Sequence, residues 1–299
     1  MDGARLNVDR DRTFFAVAAA LFVASVTATI VMCASMSAVA MGAMPMSLSM
    51  PMPGGWAMSA AWRPICGQTW AGVATSFIGM WTVMTMAMML PSLVPMLWHY
   101  RRSLTNAPAR SRGVSTTRRD GLTALAGVAY FVVWIALGGV VFVAGAVLTA
   151  LEVRFAAFSR GVPFAAGMVV LAAGAWQFSR WKTRRLAGCR RASACATLAP
   201  VSSTPSTPSA PWIASLLSAD ARSAWRHGVR LGLHCCDCCA GFTAILLVSG
   251  VMDLRVMAAV TLAISAERLL PRGDRIARAS GALAVGLGLI TVAQAAGLA

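Results

Sequence analysis

The sequence predicts an all-α protein, a polytopic transmembrane bundle of about seven helices with a cytoplasmic N-terminus. Of its 299 residues, 58% are hydrophobic and only 12% are charged, and the mean hydropathy is +0.69. This composition excludes an ordinary soluble domain. Several charge-free stretches are long enough to cross the roughly 30 Å hydrocarbon core of a bilayer.

The predicted helices follow these apolar stretches in order. The first apolar run exceeds the roughly 7 to 15 residues of a secretory signal core, which favours a membrane helix over a cleaved signal. The fifth and sixth helices form a tight hairpin around Asp253, Leu254 and Arg255. One membrane domain, residues 1–299, contains the predicted spans 13–40, 71–98, 121–151, 162–179, 231–252, 256–270 and 280–298.

The charge pattern gives the predicted orientation. The net charge is +16, yet the basic residues fall in alternate loops and not on one folded face, so a nucleic-acid partner is not expected. Basic residues concentrate before the first helix and at 101–119, 180–230 and 268–278. By the positive-inside rule these segments are cytoplasmic, and we expect a multi-pass protein of the bacterial inner membrane, in contact with lipid.

The largest predicted loop is the basic cytoplasmic segment 180–229. Its stretch 193–211 repeats Ser, Thr and Pro, a composition that is typical of a disordered linker. This linker separates four predicted helices from three within the same membrane domain.

The most distinctive motif is the run HCCDCC at residues 234–239, which contains four of the eight cysteines. Thiolates and imidazole are ligands for soft or borderline metals. On a helix, Cys235, Cys238 and Cys239 share a face by their three- and four-residue spacing, an arrangement that suits trigonal Cu(I). We expect the run within the first two turns of the fifth helix, on the reducing cytoplasmic side.

Several other interpretations of the run stay open. A Zn(II) site would need a fourth ligand from Cys236, His234 or a distant residue such as Cys189. The overlapping C-x-x-C pairs also fit a dithiol redox centre. An iron–sulfur cluster and cysteines without a chemical role are the remaining alternatives.

Methionine provides the second signal, because 14 of the 18 methionines fall between Met32 and Met96. In the predicted external segment 41–70, methionine alternates with Pro and Ser, a pattern that cannot build a core. Thioether sulfur is soft and uncharged, which suits Cu(I) outside the reducing cytoplasm. The alternative is a flexible amphipathic loop at the membrane surface. The candidate ligands here are Met44, Met46, Met50 and Met52.

The second predicted helix continues the methionine pattern. Met80, Met84 and Met88 recur every four residues and therefore share a face, which predicts a row of sulfur atoms along the helix. For this row taken alone, ordinary packing is the favoured explanation, since methionine packs well in apolar helices. Pro91 and Pro95 each remove a backbone donor and favour a kink nearby.

Other titratable residues carry weaker signals. Cys33 and Cys66 both lie toward the predicted outer side, where they could pair. Asp253 and Glu267 lie at opposite ends of the sixth helix, and a carboxylate in a membrane segment indicates function by default. Their neighbours Arg255 and Arg268 make helix-end anchoring an equally good explanation.

Two signatures resemble one known family. The sequence MWTVMTMAMMLPSLVPM at residues 80–96 is followed by the pattern Gly232-x-x-Cys235-x-x-Cys238-Cys239 and by Glu267-Arg268. Together they resemble the bacterial predicted metal-binding integral membrane protein family of unknown function, over about residues 70–275. The segment 176–190 resembles the family's basic loop, with Arg185 in place of the first of its two cysteines. The resemblance implies metal binding without specifying the metal.

These observations predict a protein that binds Cu(I), with Zn(II) as the alternative, and mediates its uptake or transfer across the inner membrane. The chain lacks a P-loop, so no ATP motor is expected, and we do not expect an enzyme. A metal chaperone or copper enzyme is the expected protein partner. Three alternative functions stay open. The first is a metal chaperone or assembly factor for a copper enzyme, the second is a membrane thiol oxidoreductase, and the third is a purely structural subunit.

Overall fold

The computed structural model describes residues 2–42, 49–51, 57–59, 69–106, 116–184, 219–250, 253–270 and 273–297. These residues are helical apart from short connecting and terminal residues and one small hairpin, in which strands β1 (Ser49–Pro51) and β2 (Ala57–Ser59) pair antiparallel. A short helical segment at 180–184 follows the fourth long helix. The long helices are α1 (Asp2–Gly42), α2 (Trp70–Asn106), α3 (Thr116–Arg154), α4 (Ala156–Gln177), α5 (Ala219–Ser249), α6 (Leu254–Leu269) and α7 (Gly273–Ala295).

The prediction of an all-α fold is confirmed at the level of class. Five described helices are long and apolar enough to cross a membrane, and α4 adds a shorter apolar helix, Gly161–Gln177. Large apolar side chains also cover the outer faces, as at Val140 of α3 and Leu283 of α7, which are 67% and 70% exposed. Both features are consistent with a membrane protein, because a helix that is apolar all round requires an apolar environment. The predicted linker 193–211 lies outside the described residues.

Helix α5 begins at Ala219, twelve residues before the predicted start at residue 231. The prediction placed the start at the first charge-free residue, but Arg and Asp do not end a helix in the way that Pro does. The early part of α5 is tied to α3 by an ion pair between Arg118 and Asp220, with 2.8 Å between Nη2 and Oδ2. Charged residues therefore extend this helix beyond its apolar segment.

Glycines bring α3 and α5 into close contact. A Cβ atom added at Gly228 would overlap the carbonyl oxygen of Ala126 and lie 2.8 Å from the Ala129 Cβ. One turn later, a Cβ added at Gly232 would lie 3.1 Å from the Tyr130 carbonyl oxygen. Small residues at such a crossing let two backbones approach closely, as is common between membrane helices. The next residue on this face of α5 after Gly232 is Cys235.

We expect Gly228→Ala to lower the stability of the protein by roughly 1–3 kcal/mol, because the new methyl group overlaps backbone that cannot rotate away. The matched control is Gly139→Ala in α3, where no described atom lies within 4 Å of an added Cβ. Thermal unfolding midpoints in detergent measure the difference. Equal midpoints for the two variants would contradict the close packing of α3 against α5.

Helix α4 packs along α7 through a second set of small residues. Added Cβ atoms at Gly174 of α4 and Gly288 of α7 would each lie 2.8 Å from a backbone nitrogen of the other helix. Helix α7 in turn contacts α6, and α4 contacts α5. This arrangement supports the C-terminal helices against the core.

The core lies where α2, α3, α5 and α6 meet. Trp81 of α2 is fully buried, and its indole Nε1 donates a 2.9 Å hydrogen bond to the carbonyl oxygen of Trp134 in α3. This bond satisfies the polar atom of a large aromatic side chain and fixes α2 relative to α3. The cysteine run of α5 and the methionine row of α2 both reach this core.

Candidate metal centre

A group of sulfur-containing side chains forms part of the buried core. Helix α2 contributes five methionines, α5 contributes three cysteines and α6 contributes one methionine. We call this group the sulfur cluster. Its described members are Met80, Met84, Met88, Met89, Met96, Cys235, Cys238, Cys239 and Met257.

Helical periodicity places the three thiols of α5 together. Cys235, Cys238 and Cys239 are only 1–3% exposed, and they occupy one face by their three- and four-residue spacing. His234 lies on the exposed side of the same helix, so the structure does not place the imidazole in the buried core. Cys236 is half-buried and packs against the edge of the core.

The Cys235 sulfur is at the centre of the short polar contacts in this cluster. The Tyr130 hydroxyl of α3 donates to Cys235 Sγ at 2.8 Å, and Cys235 Sγ lies 3.8 Å from Met89 Sδ of α2. Cys235 and Cys239 are one helical turn apart on the same buried face of α5. Three different helices therefore converge on this sulfur atom.

The methionines of α2 form the opposite wall. Met80, Met84 and Met88 are 8%, 2% and 4% exposed, and all three pack in the same core as the thiols. Met89, which is 1% exposed, is the methionine whose sulfur lies beside Cys235. The predicted row is thus part of the core, and the neighbouring Met89 brings its sulfur to 3.8 Å from Cys235 Sγ.

The position of the run along α5 differs from the prediction. We expected it in the first two turns, but Cys235 is the seventeenth residue of a helix that begins at Ala219. At 1.5 Å per residue, this sulfur lies about 24 Å from the start of the helix. The prediction was wrong because it took the first charge-free residue as the helix start. The thiols are therefore far from the N-terminal end of the helix dipole.

One cation from α6 reaches the thiols. The guanidinium of Arg268 donates from Nη2 to Cys239 Sγ and to the Cys235 carbonyl oxygen, both at 3.4 Å, and Nη1 lies 3.5 Å from Ser92 Oγ. The sequence suggested that this arginine anchors a helix end. Its contacts instead lead into the sulfur cluster.

The two acidic residues of α6 behave differently. Asp253 caps the helix, and its Oδ1 accepts from the backbone nitrogen of Arg255 at 2.8 Å, as helix-end anchoring predicts. Glu267 is 3% exposed and pairs with the Nζ of Lys182 at 2.8 Å. This pair is buried on both sides, so the anchoring explanation is wrong for Glu267.

A small polar network surrounds this ion pair. Lys182 also donates to the Gln177 side-chain oxygen, and its Nζ lies 4.7 Å from the centre of the Phe242 ring, which belongs to the same core as the thiols. The Ser280 hydroxyl donates to Glu267 Oε1 at 2.9 Å. The segment after α4 is thereby connected to α6 and α7.

The other predicted ligands are only partly covered by the structure. Met50 lies in β1, where its backbone is paired with Met58 of β2. Cys33 is buried in α1. Four residues named in the predictions lie outside the described ones: Met44, Met46, Met52 and Cys66. Cys189 lies outside them as well.

Thiols alone do not complete a metal site in the described part of the chain. Within those residues, no three His, Cys, Asp or Glu side chains are arranged to hold a metal ion. Thioether sulfur is the other soft donor that the cluster offers beside the thiols. Two sulfur ligands with metal–sulfur bonds of about 2.3 Å lie about 3.8–4.0 Å apart around one ion. The 3.8 Å separation of Cys235 Sγ and Met89 Sδ fits this requirement.

Sequence reasoning missed three members of the site. Tyr130 is one of two tyrosines in the chain, and only its place in an apolar helix signalled a buried partner. Lys182 and Arg268 carried no periodic signal, because each acts through a contact with a distant helix. The available indications were a charged residue at the end of an apolar span and, for both residues, a place in the segments that resemble the known family.

Comparison with known proteins gives one match. The family model described as PpoB2, copper chaperone, matches residues 78–291, which is well over half of the chain. The matched range includes Met80, Tyr130, the cysteine run and Arg268. Neither the curated proteins nor the solved structures contain a significant match. The chain therefore belongs to the PpoB2 copper chaperone family.

Proposed function

We propose that this protein is an integral membrane chaperone for Cu(I), which it holds in the sulfur cluster and hands to a copper enzyme or to another metal chaperone. The observation that carries this proposal is the contact of Cys235 Sγ with Met89 Sδ at 3.8 Å inside a buried core. The family supports copper as the cargo. We place the protein in the bacterial inner membrane because of its apolar helices and its basic loops.

The donor chemistry favours Cu(I) over other metals. Thiolate and thioether are soft ligands, whereas Mg(II) and Ca(II) require sites rich in oxygen. Zn(II) normally takes four Cys, His or carboxylate ligands. His234, the histidine of the run, lies on the exposed side of α5, away from the buried thiols. A mixed set of thiolate and thioether thus suits a monovalent soft ion best.

Burial also separates this proposal from thiol redox chemistry. A dithiol oxidoreductase must present at least one thiol to its substrate. Cys235, Cys238 and Cys239 are each at most 3% exposed, and they lie inside the core. This environment favours a metal that is held away from water.

Delivery requires that the ion can leave. Thioethers are weaker ligands than thiolates, so a site shared between Met89 and Cys235 can exchange one ligand at a time. Cys236 is half-buried at the edge of the core, next to Cys235 in sequence, and offers a sulfur atom between the cluster and the surface. We infer that an acceptor protein takes the ion by stepwise ligand exchange on this side.

The row of methionines in α2 favours a second function, transfer of Cu(I) across the membrane. Met80, Met84 and Met88 span about 12 Å along the helix axis at 1.5 Å per residue. All three are buried in the core that contains the thiols. A chain of weak soft ligands of this kind can pass an ion along a helix as well as store it.

One experiment tests binding and separates the two functions. Purified protein in detergent, under anaerobic reducing conditions, is expected to bind about one Cu(I) and to release it to a soluble Cu(I) chelator. Protein in sealed proteoliposomes is expected to bind Cu(I) without carrying it into the lumen. Failure to bind Cu(I) would remove the proposal, whereas luminal accumulation of copper would favour transport.

A further inference from the structure

The guanidinium of Arg268 is in direct contact with the proposed metal ligands. It lies 3.4 Å from the Cys239 sulfur and 3.4 Å from the carbonyl oxygen of Cys235. Ser92 of α2 lies on its other side, at 3.5 Å from Nη1. A half-buried guanidinium is therefore held beside the thiols at the edge of the core.

This charge acts differently on ions of different valence. A guanidinium stays protonated at every accessible pH. One Cu(I) bound by two thiolates carries a net charge of −1, whereas one Zn(II) bound by the same two thiolates is neutral. In a medium of low dielectric constant, an adjacent cation stabilises the anionic complex and gives no such gain to the neutral one.

We propose that Arg268 is a specificity-determining residue, which makes the thiols of Cys235 and Cys239 favour monovalent soft cations over divalent ones. This inference rests on the proposed function, because it takes the sulfur cluster as the metal site. The ions favoured are Cu(I) and its analogue Ag(I), and the ion disfavoured is Zn(II). The charge contributes on the order of 10- to 100-fold in relative affinity.

The surrounding structure holds this side chain in place. At its N-terminus α6 is capped by Asp253, and in its last turn Glu267 is bound to Lys182 at 2.8 Å. Between these points Met257, Val260 and Ile264 are buried against the core. Adjacent side chains on a helix point about 100° apart. In the last turn of α6, Glu267 therefore faces Lys182 while Arg268 faces the sulfur cluster.

The test compares relative affinities for Ag(I) and Zn(II) in the full-length protein in detergent, at one fixed pH and under reducing conditions. Arg268→Gln removes the charge, and we expect the ratio of Ag(I) to Zn(II) affinity to fall by about 10- to 100-fold. Arg268→Lys keeps the charge and is expected to keep the ratio within a few-fold of wild type. Ser92→Asp leaves the arginine in place and adds a negative charge beside its Nη1, which opposes the effect of the guanidinium on the bound ion, and we expect the ratio to fall as for Arg268→Gln.

Each outcome decides the inference. An unchanged ratio in Arg268→Gln, or an equal loss in Arg268→Lys and Arg268→Gln, would overturn it, because charge would then not control selectivity. If Arg268→Gln does not fold, the Ser92→Asp variant replaces it, and an unchanged ratio of Ag(I) to Zn(II) affinity in that variant would overturn the inference. A wild-type protein that binds neither Cu(I) nor Ag(I) would remove the proposed function itself, which is a separate result.

Discussion

Replacing Cys235 with serine is expected to weaken Cu(I) binding by on the order of 100-fold or more, equivalent to about 3 kcal/mol. Cys235 is the thiol that lies beside Met89 Sδ and accepts from the Tyr130 hydroxyl. Serine keeps the size of the side chain but replaces a soft sulfur by a hard oxygen, which is a poor ligand for Cu(I). Competition with a chromophoric Cu(I) chelator under anaerobic conditions measures the affinity.

Cys33→Ser is the matched control for this variant. Cys33 is also a buried cysteine, 8% exposed in α1, but it is not a member of the sulfur cluster. We expect Cys33→Ser to bind Cu(I) as the wild type does. If Cys235→Ser and Cys33→Ser had the same affinity, Cys235 would not be a ligand.

The faces of the helices were predictable from the sequence because a helix has a fixed period. With 3.6 residues per turn, Cys235 and Cys239 must share a face, and so must Met80, Met84 and Met88. The structure places both sets in one core. No property of either segment alone, however, indicates which other helix its sulfur atoms will meet.

The contact between Tyr130 and Cys235 illustrates this limit of local reasoning. The two residues are 105 positions apart, and their contact depends on how closely α3 approaches α5. That approach is possible because Gly228 and Gly232 have no side chains, so the backbones of the two helices meet. Glycine in an apolar stretch is compatible with many crossings, and only the packed structure selects one.

Charged residues misled the prediction in two places for the same reason. Hydropathy alone ends a span at a charge, so the start of α5 was placed at residue 231, and helix-end anchoring beside Arg268 was one of two explanations for Glu267. In the structure, Asp220 is paired with Arg118, and Glu267 is paired with Lys182. A charge that has a partner can continue a helix or enter a core, and the partner is distant in sequence.

Helix α6 connects the ion pair to the sulfur cluster. Glu267 and Arg268 are consecutive residues, and the first is fixed by Lys182 while the second contacts Cys239 Sγ. Displacement of the last turn of α6 would move the cation away from the thiols. The Lys182–Glu267 pair therefore has two consequences, one for the stability of the fold and one for the geometry of the metal centre.

Lys182→Met is expected to lower the free energy of unfolding by about 3–5 kcal/mol. The Lys182 and Glu267 side chains are 1% and 4% exposed, and their charged atoms lie 2.8 Å apart. Removal of the lysine takes a countercharge away from the buried carboxylate, to which the Ser280 hydroxyl donates a hydrogen bond. Denaturant unfolding in mixed micelles, followed by the fluorescence of the buried tryptophans, measures the change.

Two further variants distinguish a buried charge from a general packing defect. The double variant Lys182→Met with Glu267→Met removes both charges, and we expect it to recover most of the stability, since replacing a whole buried ion pair by apolar groups is often neutral. Arg118→Met breaks the partly exposed pair with Asp220 and is expected to cost at most about 1 kcal/mol. If the double variant were no more stable than Lys182→Met, the loss would come from packing, because no unpaired charge would remain. If Lys182→Met unfolded like the wild type, the ion pair would contribute nothing to stability, and α6 would have to be held by its apolar contacts alone.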